Sequence, residues 1–328
     1  MRRREFIAML GGAAAAWPVV ADGQQTQKMK RVAMFTPGKI ETDPSFTTVL
    51  DEMKRLGFVE GKNLIVDRYS AESQFDRLPE FAKDIVATKP DVIYSLSTKM
   101  AVLLQSETRT IPVVAWMTDP VAAGVALSLA RPGGNTTGVS VDAGAQMGAK
   151  YIQLLSEAVG RLSNVRLLAT ASNWETATTK VMRDTAEAMN IPLRLQPLQS
   201  PVDEREYRRA FEAMRRDQVD GVVISSESEH IGKGPILGPL TLEYRIPSIG
   251  VYSGTVEAGG LMCYSWNAPG MAPHAAAQIV EILNGAKPAE IPFFQEIRWT
   301  LIINLKAAKE LGLELPARLI ARAERFIE

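Results

Sequence analysis

Residues 111–140 read IPVVAWMTDPVAAGVALSLARPGGNTTGVS, and the order of residue types in this stretch decides the fold class. Pro112–Met117 is a short apolar run, the pattern of a strand buried on both faces. Asp119 then stands as an N-cap with Pro120 at the first helical position, which predicts a helix ending near Pro132-Gly133. Thr137–Val141 starts the next strand.

The same alternation extends in both directions. Upstream, Arg31–Phe35, Leu64–Val66 and Asp91–Tyr94 read as strands. Phe46, Val49, Leu50, Met53 and Leu56 recur at helical spacing and stop at Gly57; Phe75 to Val86 and Thr98 to Thr108 give further helices. Downstream, strands at 165–169, 193–198, 221–224, 248–252, 261–264 and 298–303 are separated by helices, and two helices close the chain. Short apolar strands separated by helices predict parallel sheets covered on both faces. Two successive runs predict an α/β chain of two doubly wound lobes. In open parallel sheets ligands sit beyond the carboxyl ends of the strands, so the expected site is the cleft between the lobes.

The leader, MRRREFIAMLGGAAAAWPVVADGQQ, makes little sense as fold. Its apolar run is too short to span a bilayer and holds Gly11, Gly12 and Pro18. Read as an address, Arg2–Arg4 form a positive region, Ile7–Ala21 an apolar one, and Ala21-Asp22-Gly23 a small-residue exit. Arg3-Arg4 with Phe6 resembles a twin-arginine export signal, though Arg2 stands where that signal has Ser or Thr, so the Sec route stays open. Residues 1–23 are therefore expected to be a signal peptide and the remainder a soluble, exported, periplasmic protein. No Cys follows the exit, which argues against lipid anchoring.

Composition narrows the function. The 328 residues carry 37 basic and 37 acidic side chains, so nothing recruits nucleic acid or an anionic membrane. Cys263 stands alone and forms no internal disulfide. His230 and His274 lie far apart, so neither a zinc site nor a Ser–His or Cys–His pair is expected. GxSxG, GxGxxG, Walker A, HExxH and EF-hand patterns are missing. No cofactor and no metal are expected.

The strand ends carry the candidate ligand contacts: Thr36 and Pro37; Ser95, Ser97 and Thr98; Thr118 and Asp119; Asn173 and Trp174; Glu227; Tyr252; and Tyr264. Hydroxyls beside the free N–H groups of a helix N-terminus suit a carboxylate, and aromatics at strand exits suit a flat ligand. Each has a plain alternative. Ser97, Thr98, Asp119 and Asn173 are also caps. Glu227 and Glu229 are also solvated loop acids, and Trp174, Tyr252 and Tyr264 also packing residues. Trp116 and Cys263 read as core.

The 111–140 stretch, with its IPVV, DPV and LARPGGNxTG order, resembles the exported ABC-transporter substrate-binding proteins of the tryptophan/tyrosine type. VEAGGLMCY at 256–264 and LIINLKAAKELGLELP at 301–316 are similar to the same family's C-terminal hallmarks. The resemblance implies a type I periplasmic-binding fold whose chain crosses between lobes three times. One lobe is then 29–141 plus 252–284, the other 142–251 plus 285–328. It also implies a cofactor-free, monomeric receptor that closes on a small molecule and docks on an ABC permease in the inner membrane. The expected ligand is an amino acid or an aromatic carboxylate. The chain departs from the family at Ser225–His230, where many members have Asp, and at Cys263–Trp266, where Ser-Tyr-Gly is usual. The competing reading is an exported enzyme using Glu227, Glu229 or Asp119 as general base on a small carboxylated compound. A sensor partner for a membrane kinase uses the same binding chemistry.

Overall fold

The computed structural model describes residues 29–40, 44–72, 74–141, 144–266 and 268–328; the expected signal peptide lies outside these described residues. Strands β1 (Lys30–Thr36), β2 (Leu64–Ser70), β3 (Val92–Ser95), β4 (Val113–Met117), β5 (Thr136–Ser140) and β11 (Phe294–Gln295) form one sheet. Its order is β11-β5-β4-β3-β1-β2, parallel throughout. The second sheet holds β6 (Val165–Thr170), β7 (Leu193–Leu198), β8 (Gly221–Ile224), β9 (Ser248–Gly250), β10 (Met262–Trp266), β12 (Trp299–Asn304) and β13 (Arg325–Ile327). Its order is β13-β12-β10-β9-β8-β6-β7, and only the β10–β12 pairing is antiparallel among the described strands.

Successive residues of a strand point to opposite faces, and the cores record it. Val32 and Met34 join one cluster with α1 (Pro44–Arg55) and α9 (Ala268–Leu283). Ala33 and Phe35 join another with α2 (Leu78–Ala87) and α3 (Thr98–Glu107). In the second lobe Leu167 and Ala169 face α4 (Met147–Val159) and α5 (Ala177–Ala188). Leu168, Val222 and Ile224 face α6 (Glu204–Arg216) and α7 (Gly234–Glu243). Both sheets are thus doubly wound, as the apolar runs require.

The chain passes between lobes after Ser140, after Trp266 and after Gln295. Two segments sit differently from the expected division. Met262–Trp266 belongs to the second sheet, because its whole length pairs with β12. Phe294–Gln295 belongs to the first sheet, paired with β5 and held there by side chains of β5 and α9. Gln278 donates to the Gly138 and Pro292 carbonyls, both at 3.0 Å; Thr137 donates to the Ile291 carbonyl at 2.7 Å; His274 stacks on Phe294 at 3.6 Å. The C-terminal strand β13, which follows the short helices α10 (Leu305–Leu311) and α11 (Ala317–Ile320), was not foreseen.

The helix expected over 120–132 does not form. The chain makes a single turn, with Ala123 and Val125 donating to the Asp119 and Pro120 carbonyls, and Gly124 at φ +70° ends it. Leu127 then bonds back to the Pro132 carbonyl, leaving its own side chain 82% exposed. Gly138 in β5 is required by close approach. At φ +146°, a side chain there would strike the Ala115 backbone of β4.

Candidate functional site

The carboxyl ends of β1, β3, β4 and β5 are laced together. Thr36 Oγ1 accepts from the Gly38 N–H at 3.2 Å, which fixes the turn that carries buried Pro37. Ser97 caps α3, accepting from the Met100 N–H at 3.2 Å. Thr98 Oγ1 accepts from the Thr118 N–H at 3.2 Å, and the Thr118 carbonyl accepts from Ser140 Oγ at 3.0 Å. Asp119 Oδ1 accepts from Val121 and Ala122, at 3.0 and 2.9 Å, so it caps the turn rather than a helix. Ser95 differs from these neighbours: it is fully buried, and its hydroxyl has no partner among the described residues.

The second lobe presents a buried polar network. Glu227 accepts from the Thr170 N–H at 2.9 Å, from Thr170 Oγ1, and from Ser225 Oγ at 2.9 Å, tying the ends of β6 and β8. Tyr252 donates to the carbonyls of Ser226 and Glu227 at 2.9 and 3.1 Å. Burial, and then the nearby Glu229 and Glu227 charges, push the Tyr252 phenol well above its ordinary pKa. Asn173 and Trp174 follow β6 in a 3-10 turn. Asn173 Oδ1 accepts from Thr179 Oγ1 at 3.0 Å, and the Arg183 guanidinium lies 4.8 Å over the Trp174 ring.

His230 is buried and sits between Tyr207 Oη, 3.0 Å from Nδ1, and Ser225 Oγ, 3.1 Å from Nε2. A Ser–His contact therefore exists, contrary to the sequence expectation, because a single loop brings positions 225 and 230 together. It is no nucleophile–base pair. Burial holds the imidazole at about 4, and the Ser225 hydroxyl is spent on Glu227.

Glu229 is not a solvated loop acid. Its side chain is 5% exposed and pairs with Lys99 of α3, across the cleft. The aromatic position also shifts. Tyr264 lies within β10, 5.7 Å from the Trp299 ring and 5.6 Å beneath the Lys150 ammonium, rather than at the strand end. Two residues on, Trp266 occupies that end and packs against core side chains of both lobes. Its place on the same face follows from the period of two, which the sequence carried. Among the described residues no cluster of His, Cys, Asp or Glu suits a metal ion. Cys263 is buried, and burial pushes its thiol up to about 12, which leaves it inert.

Two doubly wound lobes with strand ends meeting at a polar, aromatic-edged cleft define a two-lobed binding protein. The family described as ABC transporter substrate binding protein matches residues 41–327. The chain belongs to that family. It is 24% identical over 264 residues to a tyrosine-binding protein of Clostridioides difficile, covering 79% of this chain and 73% of that one. A conserved domain protein from Vibrio cholerae superposes with a TM-score of 0.79 at 23% identity, over 91% of this chain and all of that one. An ABC domain from Streptococcus pneumonia in complex with L-Trp gives 0.78 at 22% identity, over 92% and 100%. The chain is thus an ABC-transporter substrate-binding protein. Its family is one of binding proteins, not of enzymes.

Proposed function

We propose that this protein is a periplasmic receptor that binds one amino acid or aromatic carboxylate between its lobes, without turnover, and delivers it to a membrane permease. The observation that carries this reading is the pairing of donors with aromatics at converging strand ends. The N-terminus of α3 offers donors for a carboxylate, and Tyr252 with Trp266, their rings perpendicular at 5.9 Å, supplies an apolar aromatic corner. A tyrosine-binding protein and a domain in complex with L-Trp among its relatives support the aromatic class. Export is supported by the residue order of positions 1–23 and by the family, and no described helix is long and apolar enough to cross a membrane.

Thermal shift followed by calorimetry with the amino acids, phenylacetate and 4-hydroxyphenylacetate tests the reading. A true ligand at a hundred times its Kd adds about 2.7 kcal/mol of stability and binds one to one. Product accumulating with time, and lost in Glu227→Gln, would establish the enzyme reading instead.

A further inference from the structure

We propose that Lys99 and Glu229 form a latch that holds the lobes closed without a ligand; the proposal rests on the reading of the chain as a two-lobed receptor whose lobes open and close about their crossings. Lys99 stands in the first turn of α3 in the first lobe, and Glu229 in a 3-10 turn, Ser228–His230, of the second. Their ion pair spans the cleft. The acid is 5% exposed and the lysine 47%. Among the described residues Lys99 is the cation paired with Glu229, through Oε1, and Glu229 Oε2 has no hydrogen-bond partner. A carboxylate this buried is costly unless a cation accompanies it, so parting the lobes strips Glu229 of its compensation.

The surroundings hold both partners in position. Phe75 places its ring 5.5 Å from the Lys99 ammonium. On the other side, Tyr207 donates to the Glu229 carbonyl at 3.0 Å, anchoring the turn to α6. A second bond joins the lobes farther from the crossings: Ser200 Oγ donates to Asp76 Oδ2 at 2.9 Å, linking the segment after β7 to the one after β2.

Strand order gives these contacts their meaning. The chain crosses between lobes at β5 and β11 of the first sheet and at β10 and β12 of the second, which lie toward one end of each strand order. β2 and β7 are the opposite edge strands, and β3 and β8 lie between. The Ser200–Asp76 bond is therefore on the rim that separates most when the lobes rotate about the crossings, and the Lys99–Glu229 pair lies inward of that rim but on the same side of the crossings, so both contacts part when the cleft opens. A contact made only in the closed arrangement favours that arrangement by its full differential free energy, whether or not a ligand is present.

The test uses spin labels at Lys83→Cys on α2 and Glu212→Cys on α6, both exposed helix positions, while native Cys263 stays buried. Protein freed of small molecules by unfolding and refolding is measured by double electron–electron resonance with no ligand added. The latch predicts a dominant short distance, which Lys99→Met and Glu229→Gln each shift toward a longer one by about tenfold in population. Lys99→Glu, which sets two carboxylates face to face, shifts it further. Lys99 is half exposed, so its substitution leaves the fold intact. Identical distributions in the unsubstituted protein and all three variants would overturn the latch. Because no ligand enters, a wrong ligand class leaves this result unaffected.

Discussion

Trp266 and Trp299 stand edge to face across the antiparallel β10–β12 pair, with ring centroids 5.8 Å apart and planes at 90°. The chain leaves for the first lobe directly after Trp266 and returns directly before Trp299, so this contact clasps two of the crossings. Tyr252 adds a third ring, edge-on to Trp266 at 5.9 Å. Perpendicular pairs of this kind contribute about 0.5–1.5 kcal/mol beyond their buried area.

Trp266→Ala removes a half-buried ring shared by both cores. The expected loss is about 3 kcal/mol of stability, read in a urea melt, together with at least tenfold weaker ligand binding. Trp266→Phe keeps an aromatic edge and is expected to recover most of both.

Tyr252→Phe keeps the ring and deletes only the hydroxyl that serves the Ser226 and Glu227 carbonyls. The loop 225–230 is then held less firmly. Stability should fall by about 1 kcal/mol, and calorimetry should show affinity falling with it. Unchanged affinity would remove Tyr252 from the site.

His230 makes stability depend on pH. Its folded pKa, about 4, lies below the ordinary imidazole value of 6.5, so the unfolded chain binds the proton more tightly. Stability from this group is therefore complete above pH 6.5, falls as pH drops from 6.5 to 4, and is gone below. The difference corresponds to about 3 kcal/mol. Melts of His230→Gln should lose the slope between pH 6.5 and 5; a slope that persists would place its origin elsewhere.

Gly238 of α7 faces α8 (Ser253–Glu257) and the turn that follows it. A Cβ there would lie 2.5 Å from the Ala258 carbonyl carbon and 2.7 Å from the Thr255 carbonyl oxygen. Gly238→Ala should cost about 2–3 kcal/mol by forcing the helices apart. Gly254→Ala, with open space around the new carbon, should stay within about 0.5 kcal/mol of the parent in the same thermal scan.

How far the sequence could be read follows from the range of each signal. Alternation in runs such as Val32–Phe35 is local, and it specified sheets covered on two faces before any contact was known. The segment 119–132 misled because Asp-Pro announces a helix start, while Gly124 at φ +70° ends the turn at once. Ser97 and Asp119 read as caps because capping is also local. Glu229 was unreadable, since its burial depends on Lys99, 130 positions away and in the other lobe. Trp266 was within reach: it shares a face with Tyr264, and only the strand's true length shows which of the two stands at the cleft. The lobe of β10 and of β11 was set by pairings with β12 and β5, and no local pattern records those.

The central claim is that one small molecule is held unchanged between the lobes. Native mass spectrometry of the protein purified from the cells that make it tests this most directly. The account predicts a single added mass of amino-acid or aromatic-acid size, one per chain, released intact on denaturation and displaced when Tyr252 or Trp266 is substituted. A chain that stays at its bare mass with every amino acid and aromatic carboxylate added, or that releases a chemically altered molecule, would contradict it.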